Sequence, residues 1–526
     1  MTNYRLGIDV GGTHTDAVIL DEAYRVIASV KATTTVDVSK GIYSAMRQVV
    51  EKSGVPVSDI RHAMLGTTHC TNAIVERKRL NQVAIIRIGA PATLAIKPLV
   101  GVPDDLREIL GKHTHIVRGG HEFDGREIAE LDEEKIRAIG RELNGQVDSV
   151  AITSVFSPVS AVHEERAAEI IREEMGPDVA LSLSSEIGSV GLLERENATI
   201  LNAAIVNVAR STADGFVKAL EQEGIHAEIF FGQNDGTLMS VEYTVKYPIL
   251  TIACGPTNSL RGAAYLTDRP DALVVDVGGT TTDVGVLVDS FPRQSSLAVE
   301  IGGVRTNFRM PDIAAIGLGG GTIIRLEDDG SFQIGPQSVG HRLNEEGLIF
   351  GGDTLTATDV AAALGVIELG DRNKVAHLDR SLLEAVYARM VEMVEETIDK
   401  MKTSADPVPV MLVGGGGILF PTRLKGASEV IRPENAGVAN AIGSAISQVS
   451  GQVEKIFLID EMGREAALEE AKRLAFEEAA KAGADTESLI IVDLEEVPLS
   501  YLPGNATRIR AKAAGDLAMN KQPAIR

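Results

Sequence analysis

Two short stretches carry the residue types that phosphate chemistry requires. Asp9-Val-Gly-Gly-Thr-His-Thr-Asp16 recurs as Asp276-Val-Gly-Gly-Thr-Thr-Thr-Asp283, identical at seven of eight positions. Gly11, Gly12, Gly278 and Gly279 would let the backbone approach an anion and turn its amides toward it. Thr13, Thr15, Thr280 and Thr281 add donors. Asp9 and Asp276, each at the end of an apolar run, are candidate Mg²⁺ positions, since that ion takes oxygen ligands and keeps much of its water shell. Asp276 could also act as a base or orient an acceptor. Asp16 and Asp283 are expected to brace their turns, as Asp does when it bonds nearby backbone. One copy alone could be a plain hairpin with a glycine-rich turn. Two copies that keep both acids argue for a pair of turns gripping the β- and γ-phosphates of a nucleotide from opposite sides. Neither copy has the lysine of a P-loop or the spacing of a dinucleotide fingerprint.

Two further glycine clusters fit the same chemistry. Gly414, Gly415 and Gly416 follow the apolar run Val408–Val413 and would let an adenine and ribose lie against bare backbone. Gly319, Gly320 and Gly321 could complete a phosphate or substrate pocket. Thr67, Thr68, His69 and Asn72 form a polar patch able to hydrogen-bond a ring amide, although the same residues would serve as a helix N-cap. Cys70 and Cys254 are expected to be buried packing residues. His113, His115 and His121 lie among charged residues and are expected at the surface, leaving Asp9 and Asp276 as the metal-binding residues.

The elements that must position these groups follow from hydrophobic patterning. Each hairpin is strand, tight turn, strand, and a recurrence this far apart implies two equivalent lobes rather than a solenoid. Val83–Ile88 and Ser149–Ser154 read as buried strands. Helical periodicity runs through residues 163–174, 193–216, 382–401 and 462–482. Residues 436–449 read as a small-residue helix suited to close packing. We expect one lobe over 1–190, a second over 191–450, and a small α+β appendage over 451–526, with the last dozen residues disordered.

Composition narrows the function class. The 526 residues are 44% hydrophobic and carry a net charge of -23, which disfavours nucleic acid and anionic membranes as partners. Two cysteines are too few for a disulfide framework. No secretory or membrane-spanning pattern is evident, so a cytoplasmic location is expected.

The duplicated acidic hairpins, the adenosine-type glycine cluster and the small-residue helix resemble the actin/sugar-kinase/Hsp70 ATPase superfamily over about residues 4–450. Gly66-Thr-Thr-His-Cys-Thr-Asn-Ala-Ile-Val-Glu-Arg77 and Leu193-Glu-Arg-Glu-Asn-Ala-Thr-Ile-Leu-Asn-Ala203 are similar to signature segments of the hydantoinase A/5-oxoprolinase family. So are Gly255-Pro256 with Gly262-Ala263, Ile316–Thr322, and Gly335-Pro-Gln-Ser338. The chain departs from that family where Gly340-His-Arg-Leu-Asn-Glu-Glu346 stands in place of a PGPxCYG run. The resemblance implies an α/β, two-lobed actin-like (ribonuclease H-like) fold that binds ATP and Mg²⁺. It implies phosphorylation of the carbonyl oxygen of a cyclic amide (hydantoin, 5-oxoproline or a lactam) to drive ring opening. It further implies a separate hydantoinase B-type subunit and an oligomer. A small-molecule kinase of the same superfamily and a non-metabolic ATPase, such as a chaperone or reactivating factor, are the alternatives.

Overall fold

The computed structural model describes all residues except 1–2, 34–37, 296–298, 309, 328, 500–501, 503 and 519–526. The expected disordered tail therefore lies mostly outside the described residues.

The duplication seen in the motif is also a duplication of topology. Strand Tyr4–Val10 pairs antiparallel with His14–Leu20 through the turn, setting Asp9 opposite Asp16, and pairs parallel with Ile60–Thr67. Strand Ala272–Val277 does the same, antiparallel with Thr282–Val288 and parallel with Val408–Val413, setting Asp276 opposite Asp283. The first set belongs to a nine-stranded sheet and the second to a six-stranded one.

Two helices join the sheets. Helix Cys254–Thr267 covers the second sheet, with Leu260 and Ala263 packed against Val274 and Val413. Helix Ala439–Ile446 covers the first, with Ala441, Ile442 and Ala445 against Val18 and Leu20. The two helices meet backbone to backbone. A Cβ on Gly443 would lie 1.8 Å from the Asn258 carbonyl oxygen, and one on Gly262 would lie 1.9 Å from that of Ala439. The small-residue composition is thus a steric requirement. This helix is shorter than its periodicity suggested, because the chain enters the ten-residue strand Val449–Leu458 at Val449.

A third sheet of four parallel strands has the order His113–Arg118, Val83–Ala90, Ser149–Ser154, Ala180–Leu183. Its two central strands are buried on both faces, which explains their unbroken apolar runs. Val83 and Ile85 point into one core with helix Leu192–Gln222, while Ala84, Ile86 and Ile88 point into another with Ile136 and Ile170. The 31-residue helix Leu192–Gln222 then continues into the core of the nine-stranded sheet through Phe216 and Leu220. The α+β segment at the C-terminal end adds strands Val449–Leu458, Ala506–Gly515 and Ile490–Pro498 to the edge of that sheet. Its helix Arg464–Ala482 lies on them through an alanine stripe, Ala467, Ala471, Ala475 and Ala479, all fully buried. Strands from all three segments expected as domains thus share one sheet. No described helix is long and apolar enough to cross a membrane.

Candidate active site between two acidic hairpins

Both hairpin turns are closed by the same bond. The Gly11 amide donates to the His14 carbonyl at 3.0 Å, and the Gly278 amide donates to the Thr281 carbonyl at 2.9 Å. The joined helices bring the turns together: a Cβ on Gly279 would sit 2.5 Å from the Thr13 hydroxyl oxygen. Between them lies a cavity of about 540 Å³. Asp9, Gly11, Gly12 and Thr13 line it from one lobe, and Asp276, Gly278, Gly279, Thr280 and Thr281 from the other.

The glycine clusters divide. Gly414, Gly415 and Gly416 form part of the wall, held by the Gly416 amide donating to the Val277 carbonyl at 2.8 Å. Of the other cluster only Gly320 faces the cavity. Gly320 and Gly321 donate to the carbonyls of Gly278 and Gly279 at 3.0 and 2.7 Å and so hold the second turn from behind. Thr15 is fully buried in its strand. Of the polar patch, Thr68 lines the cavity, whereas Thr67 and His69 are buried and bond each other, and Asn72 is exposed at the surface. Cys70 and Cys254 are buried free thiols, with Cys254 donating to the Thr67 carbonyl at 3.3 Å. Burial pushes their pKa values up to about 11 and about 12, so both are protonated at neutral pH.

The carboxylates are the electrostatic centre. Asp9 is 3% exposed and accepts from Asn440 at 2.9 Å and Asn258 at 3.4 Å. Burial, then the nearby charge of Asp16, raises its pKa to about 6 against those bonds. Asp276 accepts from the Ser259 hydroxyl at 2.5 Å, and burial again pushes it upward. Burial and the Asp276 charge take Asp283 to about 7. Asp16 and Asp283 both line the cavity, and Asp283 also hydrogen-bonds Thr281 of its own turn, as a bracing residue would. Asp16 accepts from Lys31 at 2.6 and 2.8 Å and from Asn440 at 2.9 Å. Four carboxylates and one lysine thus line the cavity, with the lysine paired to Asp16. A crowded set of buried carboxylate oxygens is the donor chemistry that a hydrated Mg²⁺ fits.

Lys31, Ser259 and Asn440 line the cavity and Asn258 bonds Asp9, and the motifs revealed none of the four. Lys31 stands directly across the sheet from Asp16 in strand Val26–Thr33, and that cross-strand partner is the one signal a hairpin reading could have used. His14, the only position at which the two motifs differ, also lines the cavity, and burial and Lys31 lower its pKa. Leu343, Phe350, Ile367, Leu369, Ile418 and Leu419 supply an apolar wall beside the glycines. The other histidines differ from expectation as well. His113 and His115 are half-buried on a strand, and His121 is buried, because strand pairing rather than charged sequence neighbours sets their exposure.

Two lobes with matching hairpins, joined by a helix pair and walling an acidic, glycine-lined cavity, define a two-lobed actin-like fold. Residues 5–175 match the hydantoinase/oxoprolinase N-terminal region and residues 195–372 match hydantoinase/oxoprolinase, so the chain belongs to the hydantoinase/oxoprolinase family. It is 24% identical to the caprolactamase subunit alpha of Pseudomonas jessenii, over 85% of this chain and 70% of that one. It is 27% identical to the acetophenone carboxylase gamma subunit of Aromatoleum aromaticum, over 69% of this chain but 53% of the relative. The crystal structure of the ATP-dependent caprolactamase of Pseudomonas jessenii superposes with a TM-score of 0.80 at 20% identity, over 99% of this chain and 89% of that one.

Proposed function

We propose that the cavity binds ATP and that the chain uses the γ-phosphoryl group to activate the carbonyl oxygen of a cyclic amide. The observation that carries this reading is the meeting of the two hairpin turns, Thr13 against Gly279, with four carboxylates facing one cavity. In this reading the amides of Gly11, Gly12, Gly278 and Gly279 and the hydroxyls of Thr13, Thr280 and Thr281 hold the phosphates. Asp9 and Asp276 would hold a hydrated Mg²⁺, which would neutralise charge on the phosphates. Gly414–Gly416, with Ile418 and Leu369 exposed at the wall, offer a flat apolar surface to a purine.

Phosphoryl transfer asks a protein chiefly for positioning and charge neutralisation. The amide oxygen takes the phosphoryl group and ADP leaves. The carbon so activated accepts water, the ring nitrogen departs with a proton, and hydrolysis of the remaining acyl phosphate gives carboxylate and phosphate. Thr68 is the residue of the polar patch that lines the cavity, which supports it as the one to meet the amide. Leu343 and Asn344, inside the segment where the chain departs from its family, also line the cavity and would shape the choice of amide. The relatives' names as subunits support an assembly with partner subunits, for which we propose a separate B-type subunit that completes the hydrolysis, and a cytoplasmic location suits an ATP-driven reaction.

ADP release by the purified chain, with and without a B-type partner, tests the reading across hydantoins, 5-oxoproline, lactams and ketones. Stimulation by a lactam or hydantoin, lost in Asp9→Asn and Asp276→Asn, is the expected result. A stable phosphorylated product would indicate a kinase, and hydrolysis indifferent to every small molecule would indicate a non-metabolic ATPase. Stimulation by ketones alone would move the reading to ketone activation, the substrate class in the acetophenone carboxylase relative's name.

A further inference from the structure

A second cluster lies away from the hairpins, at the C-terminal end of the four-stranded parallel sheet. In a sheet of this kind ligands collect where successive connections leave in opposite directions. Here that point lies between Val83–Ala90 and Ser149–Ser154, because the chain goes first to His113–Arg118 on one side and then to Ser149–Ser154 on the other. The segment Gly119–Gly120–His121 lies over it, with the His121 amide donating to the Val155 carbonyl just past the second strand at 3.2 Å.

We propose that His121, His163 and Glu127 bind a divalent transition-metal ion of the zinc class. One ligand atom from each lies within 4.8 Å of the others. The two rings are buried, His121 at 3% and His163 at 4% exposure, with centroids 4.3 Å apart. His121 Nε2 bonds the Ser160 hydroxyl at 3.2 Å, but its buried Nδ1 has no hydrogen-bond partner among the described residues. An imidazole nitrogen left without a partner in the interior has a cost that a metal ion removes. Two histidines and a glutamate are a common zinc set that leaves a coordination position open. Glu127 and His163 face an open hollow of about 640 Å³, through which an ion and its fourth ligand can arrive.

The geometry needs a modest closure. Bonds of about 2.0–2.1 Å place tetrahedral ligand atoms about 3.4 Å apart, and the Glu127 side chain, 56% exposed, can move to meet the rings. His163 Nδ1 accepts from the Gly120 amide at 3.0 Å, which puts the ring proton on Nε2, toward Glu127 Oε1 at 3.3 Å. Binding at Nε2 shifts that proton to Nδ1, with no net loss from the ring. Gly119 and Gly120 have φ of 138° and 99°, so the peptide between them can rotate and offer the Gly119 carbonyl to the new Nδ1–H.

The full chain, stripped of metal by chelation, is titrated with Co²⁺ and with Zn²⁺, following the cobalt visible bands and the heat of binding. One equivalent with bands of a nitrogen–oxygen site is expected. In Glu127→Gln and His121→Asn the affinity should fall by more than about 100-fold, beyond the 10–100-fold that loss of an outer hydrogen-bond partner costs. Glu127 is exposed, so its variant keeps the test valid if His121→Asn fails to fold, as judged by circular dichroism. Asp9→Asn with Asp276→Asn should leave the bands unchanged. Absence of tight binding by the wild-type chain, unchanged affinity in Glu127→Gln, or bands lost with the hairpin acids would each overturn the assignment.

Discussion

Replacing Asp9 by Asn should stabilise the ligand-free protein at neutral and alkaline pH while removing the proposed ATP-dependent activity. The carboxyl is buried and its pKa is raised from 3.8 to about 6, first by burial and then by Asp16. Because the folded form holds the proton more tightly than the unfolded chain, the contribution of Asp9 to stability is complete below about pH 4. It is lost as the pH rises through about 6. At about 1.4 kcal/mol for each tenfold change in proton affinity, the loss is about 3 kcal/mol at pH 8. An asparagine avoids it and keeps the bonding. Its side-chain oxygen can accept from Asn440 Nδ2, now 2.9 Å from Asp9, and its amide can donate to Asn258 once that side chain turns its unsatisfied Oδ1 inward. Urea unfolding of wild type and variant at steps from pH 4 to pH 8.5, without nucleotide or magnesium, measures the difference. The curves should coincide near pH 4 and diverge by about 3 kcal/mol above pH 7, with the variant the more stable. Parallel curves, or a variant less stable at pH 8, would refute the view that Asp9 is held at electrostatic cost for function.

Two glycines should separate binding from folding. A Cβ on Gly12 meets nothing within 4 Å, yet Gly12 lines the cavity. Gly12→Ala should therefore change stability by less than about 0.5 kcal/mol while weakening a non-hydrolysable ATP analogue about tenfold or more by calorimetry. Gly443→Ala drives a methyl to 1.8 Å from the Asn258 carbonyl oxygen. It should cost about 1–3 kcal/mol in thermal unfolding as the joined helices part. Lys31→Ala removes the cation beside Asp16. Loss of a charged hydrogen bond of about 1.5–3 kcal/mol should weaken the same analogue by about tenfold or more; an unchanged affinity would mean that Lys31 only neutralises Asp16.

The hairpins were legible in the sequence because a tight acidic glycine turn is a local object. Asp9, Gly11, Gly12 and Thr13 sit within five residues, and backbone geometry alone obliges them to share a turn. The groups that tune the site come from afar. Asn440 bonds Asp9 and Asp16 across more than four hundred residues of chain, from a helix whose composition advertises close packing and gives no hint of which side faces the cavity. His121 was misplaced for the converse reason. Glu122 and Asp124 beside it are charged, but its neighbours in space are strand ends and the His163 ring. In the polar patch, helical spacing relates Thr68 to Asn72, yet only Thr68 reaches the cavity, because the other is one turn farther along helix His69–Glu76.

The placement of the family departure has its own logic. Gly340–Glu346 replaces a signature run beside the second turn, where a Cβ on Gly340 would sit 3.8 Å from Thr280 Cγ2, but the turns' closing bonds, the glycine braces behind them and the helix pair that presses Thr13 to Gly279 all come from other segments. What it contributes to the cavity is Leu343 and Asn344, one apolar and one amide side chain. The parts that would hold phosphate are therefore fixed by backbone and repeated in both lobes. The parts that would select a substrate are side chains on a segment that makes none of the bonds closing or bracing the turns. A fold built this way can change its substrate by altering a few wall residues and keep its nucleotide chemistry intact.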